Sequence, residues 1–224
     1  MERNEKPSKR QRQDGQMTRE RLLRCAGEII AVKGYAATTS KEICTRAQAN
    51  AAAINYYFGG REGLYRELLV RVHAYLLKLE DLQKLAASER PPREKLSLML
   101  DMFIRQALLG ESWQIAVWAR EILSPSPVLQ EVIREAALPK GLVVTRMIGE
   151  YTGLPLDEPR LYSAAFSFLA PFLTFFLLRQ RWQSGPDYAS LLPVAYPLPV
   201  FFRHLKETAF AGLDACRQEE HADV

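Results

Sequence analysis

The sequence predicts an all-α protein in which a small N-terminal three-helix unit precedes a larger helical body. Along most of the 224 residues, apolar side chains recur at intervals of three and four, as on one face of a helix. Breaks that contain proline or glycine divide the chain into segments of helical length, and strand-like alternation is absent. This length is sufficient for a unit of about 50 residues and a body of about 150 residues with its own core.

The N-terminal unit begins with a long helix, predicted from Arg19 to Lys33, and continues with two short ones. At the first short helix, Thr39 can accept a hydrogen bond from the backbone N–H of Glu42. The Glu42 carboxylate can in turn reach the Thr39 N–H, which would form a capping box. This helix is predicted from Ser40 to about Ala47.

A tight turn separates the two short helices. Gln48 and Ala49 turn the chain, and the Asn50 side chain can cap the helix that follows. That third helix is predicted from Ala51 to Phe58, where two consecutive glycines end it. Two short helices joined by three or four residues have the layout of a helix-turn-helix.

The residue types on the two short helices suit a double-stranded DNA operator. Three consecutive alanines at the start of the third helix would let it enter a major groove about 12 Å wide. Asn55 can bond two atoms of an adenine edge, alanine methyls can contact thymine, and hydroxyl or basic side chains can donate to phosphates. The predicted DNA-binding residues are Thr39, Ser40, Lys41, Asn50, Ala51, Ala52, Ala53, Asn55, Tyr57 and Arg61.

The order of these residues resembles the tetracycline-repressor (TetR) family of bacterial transcription regulators. The resemblance spans roughly residues 18–72, and its most specific part is Ala47–Phe58 followed by Gly60–Leu64. It implies an N-terminal helix-turn-helix DNA-binding domain and a C-terminal helical domain for ligand binding and dimerisation. The run Ala51–Tyr65 is also similar to a subgroup whose C-terminal half is called CerR-like or CecR-like.

The resemblance implies that Tyr57 and Arg61 meet phosphates and that Asn55 lies near the DNA. The chain departs from the family pattern at three positions: Gln48 stands where the turn usually has Gly, Asn55 replaces Tyr, and Tyr57 replaces His. The first departure implies backbone strain and the other two imply altered contacts. Apolar residues at helical spacing are assigned to the three-helix core: Ile43, Ile54, Tyr56, Phe58, Leu64 and Tyr65.

Charge is distributed unevenly along the chain. Residues 1–71 contain 14 Lys and Arg against 8 Asp and Glu, whereas residues 72–224 contain 16 against 18. A basic N-terminal region on a near-neutral body is typical of a phosphate-binding protein. Residues 1–17 lack apolar periodicity and are predicted to be a disordered basic tail, either merely solvated or a flexible arm on DNA. The predicted domains are therefore residues 18–72 and 73–224.

Motifs for catalysis and metal binding are absent from the sequence. The three cysteines are widely spaced and unpaired in pattern, which indicates reduced thiols in a cytoplasmic protein rather than disulfides or zinc ligands. No glycine-rich phosphate loop, His-Glu metal motif or nucleophile elbow occurs. The sequence therefore predicts no catalytic residue, no metal, no cofactor and no enzyme activity.

The body is predicted to contain helices near residues 61–88, 93–109, 112–123, 127–151, 158–182 and 188–216, the last interrupted by prolines. Leu161–Leu178 is uncharged over 18 residues, a length at which a membrane span must be considered. Its polar residues and Pro171 argue against a span, and an apolar helix can instead be buried against a partner subunit. The resemblance implies that the last two long helices pair with a second copy. A homodimer is thus favoured over a membrane-associated protein.

The resemblance also implies a small effector, here expected to be apolar or amphipathic. Aromatic residues on the predicted body helices could line its pocket, with packing in the core as the alternative for each. The candidate effector-pocket residues are Trp113, Trp118, Phe172 and Phe176. We expect a homodimeric repressor that the effector releases from a palindromic operator, with an activator or a ligand-independent regulator as alternatives.

Overall fold

The computed structural model describes residues 9–108, 112–182 and 197–222, which form α-helices joined by short connections and contain no strand. The helices are α1 (Lys9–Lys33), α2 (Ser40–Arg46), α3 (Ala53–Phe58), α4 (Arg61–Leu76), α5 (Leu79–Ala86), α6 (Pro92–Phe103), α7 (Trp113–Leu123), α8 (Leu129–Val132), α9 (Leu138–Thr152), α10 (Pro159–Trp182) and α11 (Leu198–Ala222). Two π-helical segments, Ile104–Leu108 and Ile133–Ala137, continue α6 and link α8 to α9. The all-α prediction is confirmed.

The described residues form two compact units. The head unit comprises residues 9–72 and 112–132, and the body unit comprises residues 73–108, 133–182 and 197–222. The sequence assigned everything after residue 72 to one domain, but α7 and α8 belong to the head unit. The reason is packing: α7 buries Ile115 and Val117, and it lies against α1 so closely that a Cβ on Gly27 would be 2.3 Å from the Trp113 ring. Sequence spacing along α7 gave no sign of which neighbour its apolar face would meet.

Helix α1 begins ten residues before its predicted start. Residues 9–17, predicted to be disordered, are helical, and the Thr18 hydroxyl donates to the backbone carbonyl of Asp14 at 2.9 Å. Lys, Arg and Gln have high helix propensity, so a polar segment can extend a helix that the core has already started. The disorder prediction is therefore wrong for residues 9–17, while residues 1–8 lie outside the described residues.

Two helices predicted for the body are divided in the structure. The predicted helix 61–88 is interrupted after Leu76, and α5 restarts with Glu80 and Asp81 in its first turn, where acidic side chains favour the helix dipole. The predicted helix 127–151 contains a π-helical segment just before Pro139. Proline lacks the N–H for a helical bond and crowds the carbonyl four residues earlier, which accounts for the widened turn there.

The core of the body unit is built on α10. Its Phe168, Phe172 and Phe176 are fully buried, and the Phe168 ring meets Phe210 of α11 edge-on at 5.3 Å. Helix α11 begins at Leu198, and the first part of its predicted range, residues 188–196, lies outside the described residues.

One face of α10 is apolar and exposed. Tyr162, Phe166 and Leu173 are all more than two-fifths accessible. By length and composition Pro159–Leu178 could cross a membrane, and 33 % of its apolar window is buried within the chain. Part of the apolar face of α10 therefore stays exposed to solvent in the single chain.

Candidate nucleic-acid interface

Helix α2 starts at the predicted cap. Thr39 has extended backbone angles, and its hydroxyl accepts from the Glu42 N–H at 3.2 Å. The Glu42 carboxylate accepts from Lys33 Nζ at 2.6 Å instead of completing a capping box. Thr39 and Lys41 are exposed and Ser40 is half-buried, so all three can present donors to solvent.

The turn after α2 requires a left-handed residue at Gln48. Its φ is +49°, a region in which glycine is strain-free and other L-residues cost roughly 1 kcal/mol. The expected strain at the position of the usual glycine is thus present. Beyond the turn, Asn50 Oδ1 accepts from the Ala52 N–H at 2.8 Å, but Asn50 is not the N-cap of α3 as predicted, because that position is Ala52, which has no side-chain cap. The Asn50 bond instead closes a turn at Ala51 and Ala52, and α3 begins at Ala53 rather than Ala51.

The later start of α3 divides the alanine run between two environments. Ala51 and Ala52 are exposed, whereas Ala53 is buried beside Ile54. The expectation that the Ala53 methyl contacts a base is therefore wrong, because that methyl fills the core of the head unit. Asn55 is exposed, as a base-reading residue must be.

Tyr56 is the surface residue that sequence reasoning missed. It was assigned to the core, but 82 % of it is exposed, and its ring meets that of Tyr57 edge-on at 4.8 Å. Helical geometry could have revealed this: two residues after buried Ile54 correspond to about 200° of rotation, so Tyr56 must point away from the Ile54 face. Phe58, also assigned to the core, is only half-buried.

Tyr57 lies between the predicted surface and α1. It is half-buried, and a Cβ on Gly15 of α1 would be 3.4 Å from the Tyr57 hydroxyl oxygen. The segment that was predicted to be a disordered tail therefore supports a predicted phosphate-binding side chain.

Arg61 is engaged inside the head unit. Its Nη1 donates to the carbonyl oxygen of Thr38 at 2.6 Å, and its guanidinium carbon lies 4.4 Å from the centre of the Tyr35 ring. The other face of Tyr35 stacks on Tyr65, with ring centres 4.1 Å apart and planes 12° apart. Arg61 is thus positioned by structural contacts, whatever it touches on DNA.

Ion pairs connect the helices that carry the surface. Arg46 of α2 binds Glu28 of α1 at 2.7 Å, and Arg71 of α4 binds Glu20 of α1. The hydrogen bond from Arg71 is the main cause that lowers the pKa of Glu20. These pairs are partly exposed, so each contributes little to stability, and their main effect is to fix side-chain positions.

The predicted effector-pocket residues are not assembled within either unit. Trp113 and Trp118 lie on α7 in the head unit, whereas Phe172 and Phe176 are buried in the core of the body unit. Phe176 packs against Phe103 with ring centres 6.4 Å apart, which makes it a core residue. The cause is the placement of α7, which the sequence assigned to the body.

The body unit contains an amphipathic groove between α6 and α11. Its volume is about 420 Å³. Phe202 and Phe210 form apolar walls, while Lys206 binds Asp101 at 2.7 Å and Arg93 lies over the Phe210 ring at 4.3 Å. The groove therefore offers both apolar surface and charged groups to a small molecule.

Within the described part of the chain, no group of three or more His, Cys, Asp or Glu side chains is placed to hold a metal ion.

Comparison with known proteins gives matches over both halves of the chain. Residues 22–68 match the family described as bacterial regulatory proteins, tetR family, and residues 92–188 match the C-terminal domain of the HTH-type transcriptional dual regulator CecR. CecR of Shigella flexneri is 26 % identical over 184 residues, which cover 75 % of this chain and 82 % of that protein.

Solved structures share the fold. NalD, the secondary repressor of the MexAB-OprM multidrug efflux pump of Pseudomonas aeruginosa, aligns with a TM-score of 0.63 at 22 % identity, over 89 % of this chain and 97 % of that one. The transcriptional regulator FadR from Bacillus subtilis, solved with stearoyl-CoA, aligns with a TM-score of 0.59 at 17 % identity, over 88 % and 96 %. Both likenesses concern the arrangement of helices.

Proposed function

The chain belongs to the tetR family of bacterial regulatory proteins, and on that premise we propose a homodimeric repressor that a small molecule releases from a palindromic operator. As a member it is a non-enzymatic, DNA-binding transcription regulator. The observation that carries the proposal is the solvent-facing side of α3, where Asn55 and Tyr56 stand beside the exposed Ala51 and Ala52. Such a helix face presents polar groups without bulk at the end that would enter the groove.

The proposed contacts on DNA have separate tasks. Asn55 reads a base edge, and the methyls of Ala51 and Ala52 contact thymine. Thr39, Ser40, Lys41, Tyr56 and Tyr57 donate to phosphates on either side of the groove, while Asn50 shapes the turn through its bond to Ala52. Arg61 has a different task, because one of its N–H groups already donates to the Thr38 carbonyl within the head unit.

The proposed dimer uses α10 and α11. The exposed Phe166, Tyr162 and Leu173 of α10 form an apolar face that a second copy would cover. Two heads held about 34–36 Å apart can then bind half-sites one helical turn apart. In this arrangement the uncharged run serves subunit association in a cytoplasmic protein.

The proposed effector is a small apolar or amphipathic molecule, and the groove between α6 and α11 is its proposed site. Apolar walls with nearby charged side chains fit a molecule that has an apolar body and one polar end. A molecule that binds the DNA-free conformation more tightly weakens operator binding by the same free energy, which is the basis of release.

Activation of transcription is the second candidate, because the relative from Shigella flexneri is named a dual regulator. Two separate experiments test whether the chain binds the operator and whether it represses or activates transcription. We expect the full-length chain to shift DNA from its own upstream region in a palindrome-dependent manner at low salt. A reporter fused to that region should be repressed by the chain, and increased expression would instead establish activation.

The base-reading role is tested by Asn55→Ala on operator variants. We expect affinity for the natural operator to fall about ten-fold, with a smaller loss on operators altered at the contacted base. Lys41→Met is the matched comparison, since loss of a phosphate contact weakens binding on all operators alike. Equal loss on every operator for Asn55→Ala would refute its base-reading role, and absence of any palindrome-dependent shift would refute operator binding.

A further inference from the structure

We infer that Arg61 acts as a positioning residue for the helix-turn-helix rather than as a phosphate ligand, and that a chain of contacts from α7, here called the relay, holds it in place. The inference concerns how the head unit is built, and it rests on the DNA-binding function proposed above. Four observations in the head unit carry it, taken from α7 towards α2.

The relay begins at Glu121 of α7. This carboxylate is 1 % exposed, yet both of its oxygens accept hydrogen bonds: one accepts from the Ser126 N–H at 2.8 Å and from the Ser126 hydroxyl at 2.7 Å. The other oxygen accepts from the Tyr65 hydroxyl at 2.5 Å. A buried carboxylate is tolerated only with such partners, so Glu121 fixes the position of Tyr65 on α4.

The Tyr65 hydroxyl is the donor in its bond to Glu121. Burial is the main cause that raises its pKa, and the hydrogen bond to the Glu121 carboxylate adds to the effect. The Tyr65 ring is itself buried and stacks in parallel on Tyr35, which follows the end of α1. Through this stacking, Tyr65 holds Tyr35 and so restrains the segment that joins α1 to α2.

Arg61 closes the relay at the start of α2. It lies over the outer face of Tyr35 and donates from Nη1 to the Thr38 carbonyl at 2.6 Å. Thr38 is buried, and its hydroxyl donates to the Gly34 carbonyl at 2.8 Å. The next residue, Thr39, caps α2. Arg61 thus fixes the backbone from which α2 begins, through a contact that already exists without DNA.

A second contact from α7 acts on the same segment. Arg120 donates from Nε to the Ala31 carbonyl and from Nη2 to the Val32 carbonyl, both at 2.8 Å. These are two of the last carbonyls of α1, which lack partners within the helix. Consecutive residues of α7 therefore hold both the end of α1 and the stack that leads to Thr38.

The salt dependence of operator binding separates the two roles of Arg61. A phosphate contact releases counterions when it forms. Its removal therefore lowers the magnitude of the negative slope of log affinity against log salt by about one per subunit, and 'slope' below means this magnitude. For full-length Arg61→Met we expect affinity to fall about ten-fold with an unchanged slope. Lys41→Met should lower the slope. Arg66→Met, a charge loss on the same helix at a residue paired with exposed Glu131, should change neither quantity.

Amide hydrogen exchange gives a readout without DNA. In Arg61→Met we expect faster exchange in the segment 34–42, because the Thr38 carbonyl loses the hydrogen bond from Arg61 that holds it in place. Should Arg61→Met fail to fold, Tyr65→Phe removes only the hydroxyl and keeps the stacked ring. It should lower affinity about three-fold with an unchanged slope and loosen the same segment.

The inference is overturned if Arg61→Met lowers the salt slope as Lys41→Met does, or if affinity and exchange stay at the wild-type values. It is also overturned if folded Tyr65→Phe matches the wild type in both readouts. Failure of the DNA-binding function is distinguishable, because the wild-type chain would then give no palindrome-dependent binding at all.

Discussion

The head unit and the body unit differ in the residues that they bury and in those that they leave exposed. In the head unit, buried polar groups such as Glu121 and Thr38 are bonded within the unit, and the large exposed side chain of α3, Tyr56, carries a hydroxyl. In the body unit, the exposed side of α10 is mainly apolar. These surfaces suit the two proposed partners: polar, charged DNA for the head unit and the apolar face of a second copy for the body unit.

The largest expected effect tests the apolar partner of the body unit. Phe166 is 74 % exposed, and Phe166→Lys should convert a dimer to a monomer because a charge cannot be buried in an apolar interface. Loss of bivalent binding should lower operator affinity about 100-fold or more. Sedimentation analysis and gel shift measure the two quantities.

Leu142→Lys is the matched control for that experiment. Leu142 of α9 is 54 % exposed, so the substitution adds the same charge to an exposed apolar site of the same unit. It should leave the dimer intact. Dissociation by Leu142→Lys with an intact Phe166→Lys dimer would place the interface on α9 and remove α10 from the proposal.

Two residues of α3 sharpen the comparison inside the head unit. Ile54 is 1 % exposed, and Ile54→Ala should lower the free energy of unfolding by about 2–4 kcal/mol. Tyr56→Ala should change it by less than about 0.5 kcal/mol because the side chain is exposed. Operator affinity per folded molecule should instead fall about ten-fold for Tyr56→Ala. Denaturant unfolding measures the free energy of unfolding of both variants, and gel shift measures their operator affinity. Wild-type affinity for Tyr56→Ala would show that Tyr56 makes no contact with DNA.

The body unit should lose stability in acid through His73. Burial is the main cause that lowers the pKa of His73 to about 4, and the charge of Lys140 adds to it. The unfolded chain therefore binds this proton more tightly, so the stabilising contribution is complete above pH 6.5 and is lost as pH falls towards 4. Between pH 7.5 and 5 the loss should be about 2 kcal/mol.

Substitution isolates this contribution from other titrating groups. His73→Gln should remove about 2 kcal/mol of the acid-dependent loss measured by denaturant unfolding. An identical pH profile for wild type and His73→Gln would exclude His73 as the source.

The smallest expected effect concerns the strained turn of the head unit. Gln48→Gly should raise the free energy of unfolding by up to about 1 kcal/mol, since the left-handed conformation costs glycine nothing while the freer unfolded chain offsets part of the gain. Thermal unfolding would register an increase of a few degrees. A lower midpoint would show that contacts of the Gln48 side chain outweigh its backbone strain.

Local signals explain why α2 and α3 were predictable. The Thr39 cap, the Asn50 side chain and the glycines after Phe58 act through bonds to residues within four positions, so their chemistry can be recognised in order along the chain. The strain at Gln48 was instead predicted from the family resemblance, because glycine is usual at that position of the turn. Local signals failed for Ala53 and Tyr56, where a two-residue delay in the start of α3 and the direction of a side chain decided burial.

The sequence by itself determined the helical class, the helix-turn-helix with most of its surface residues, and the family, because caps, turns and periodicity depend on near neighbours. Only the tertiary structure decided that α7 and its two tryptophans belong to the head unit, while Phe172 and Phe176 belong to the body unit, and that Arg61 binds Thr38. Those outcomes depend on contacts between residues such as Tyr65 and Glu121, 56 positions apart, which no local pattern specifies. The apolar face of a helix predicts that the face will be buried. Which neighbouring element buries it depends on the packing of the whole chain.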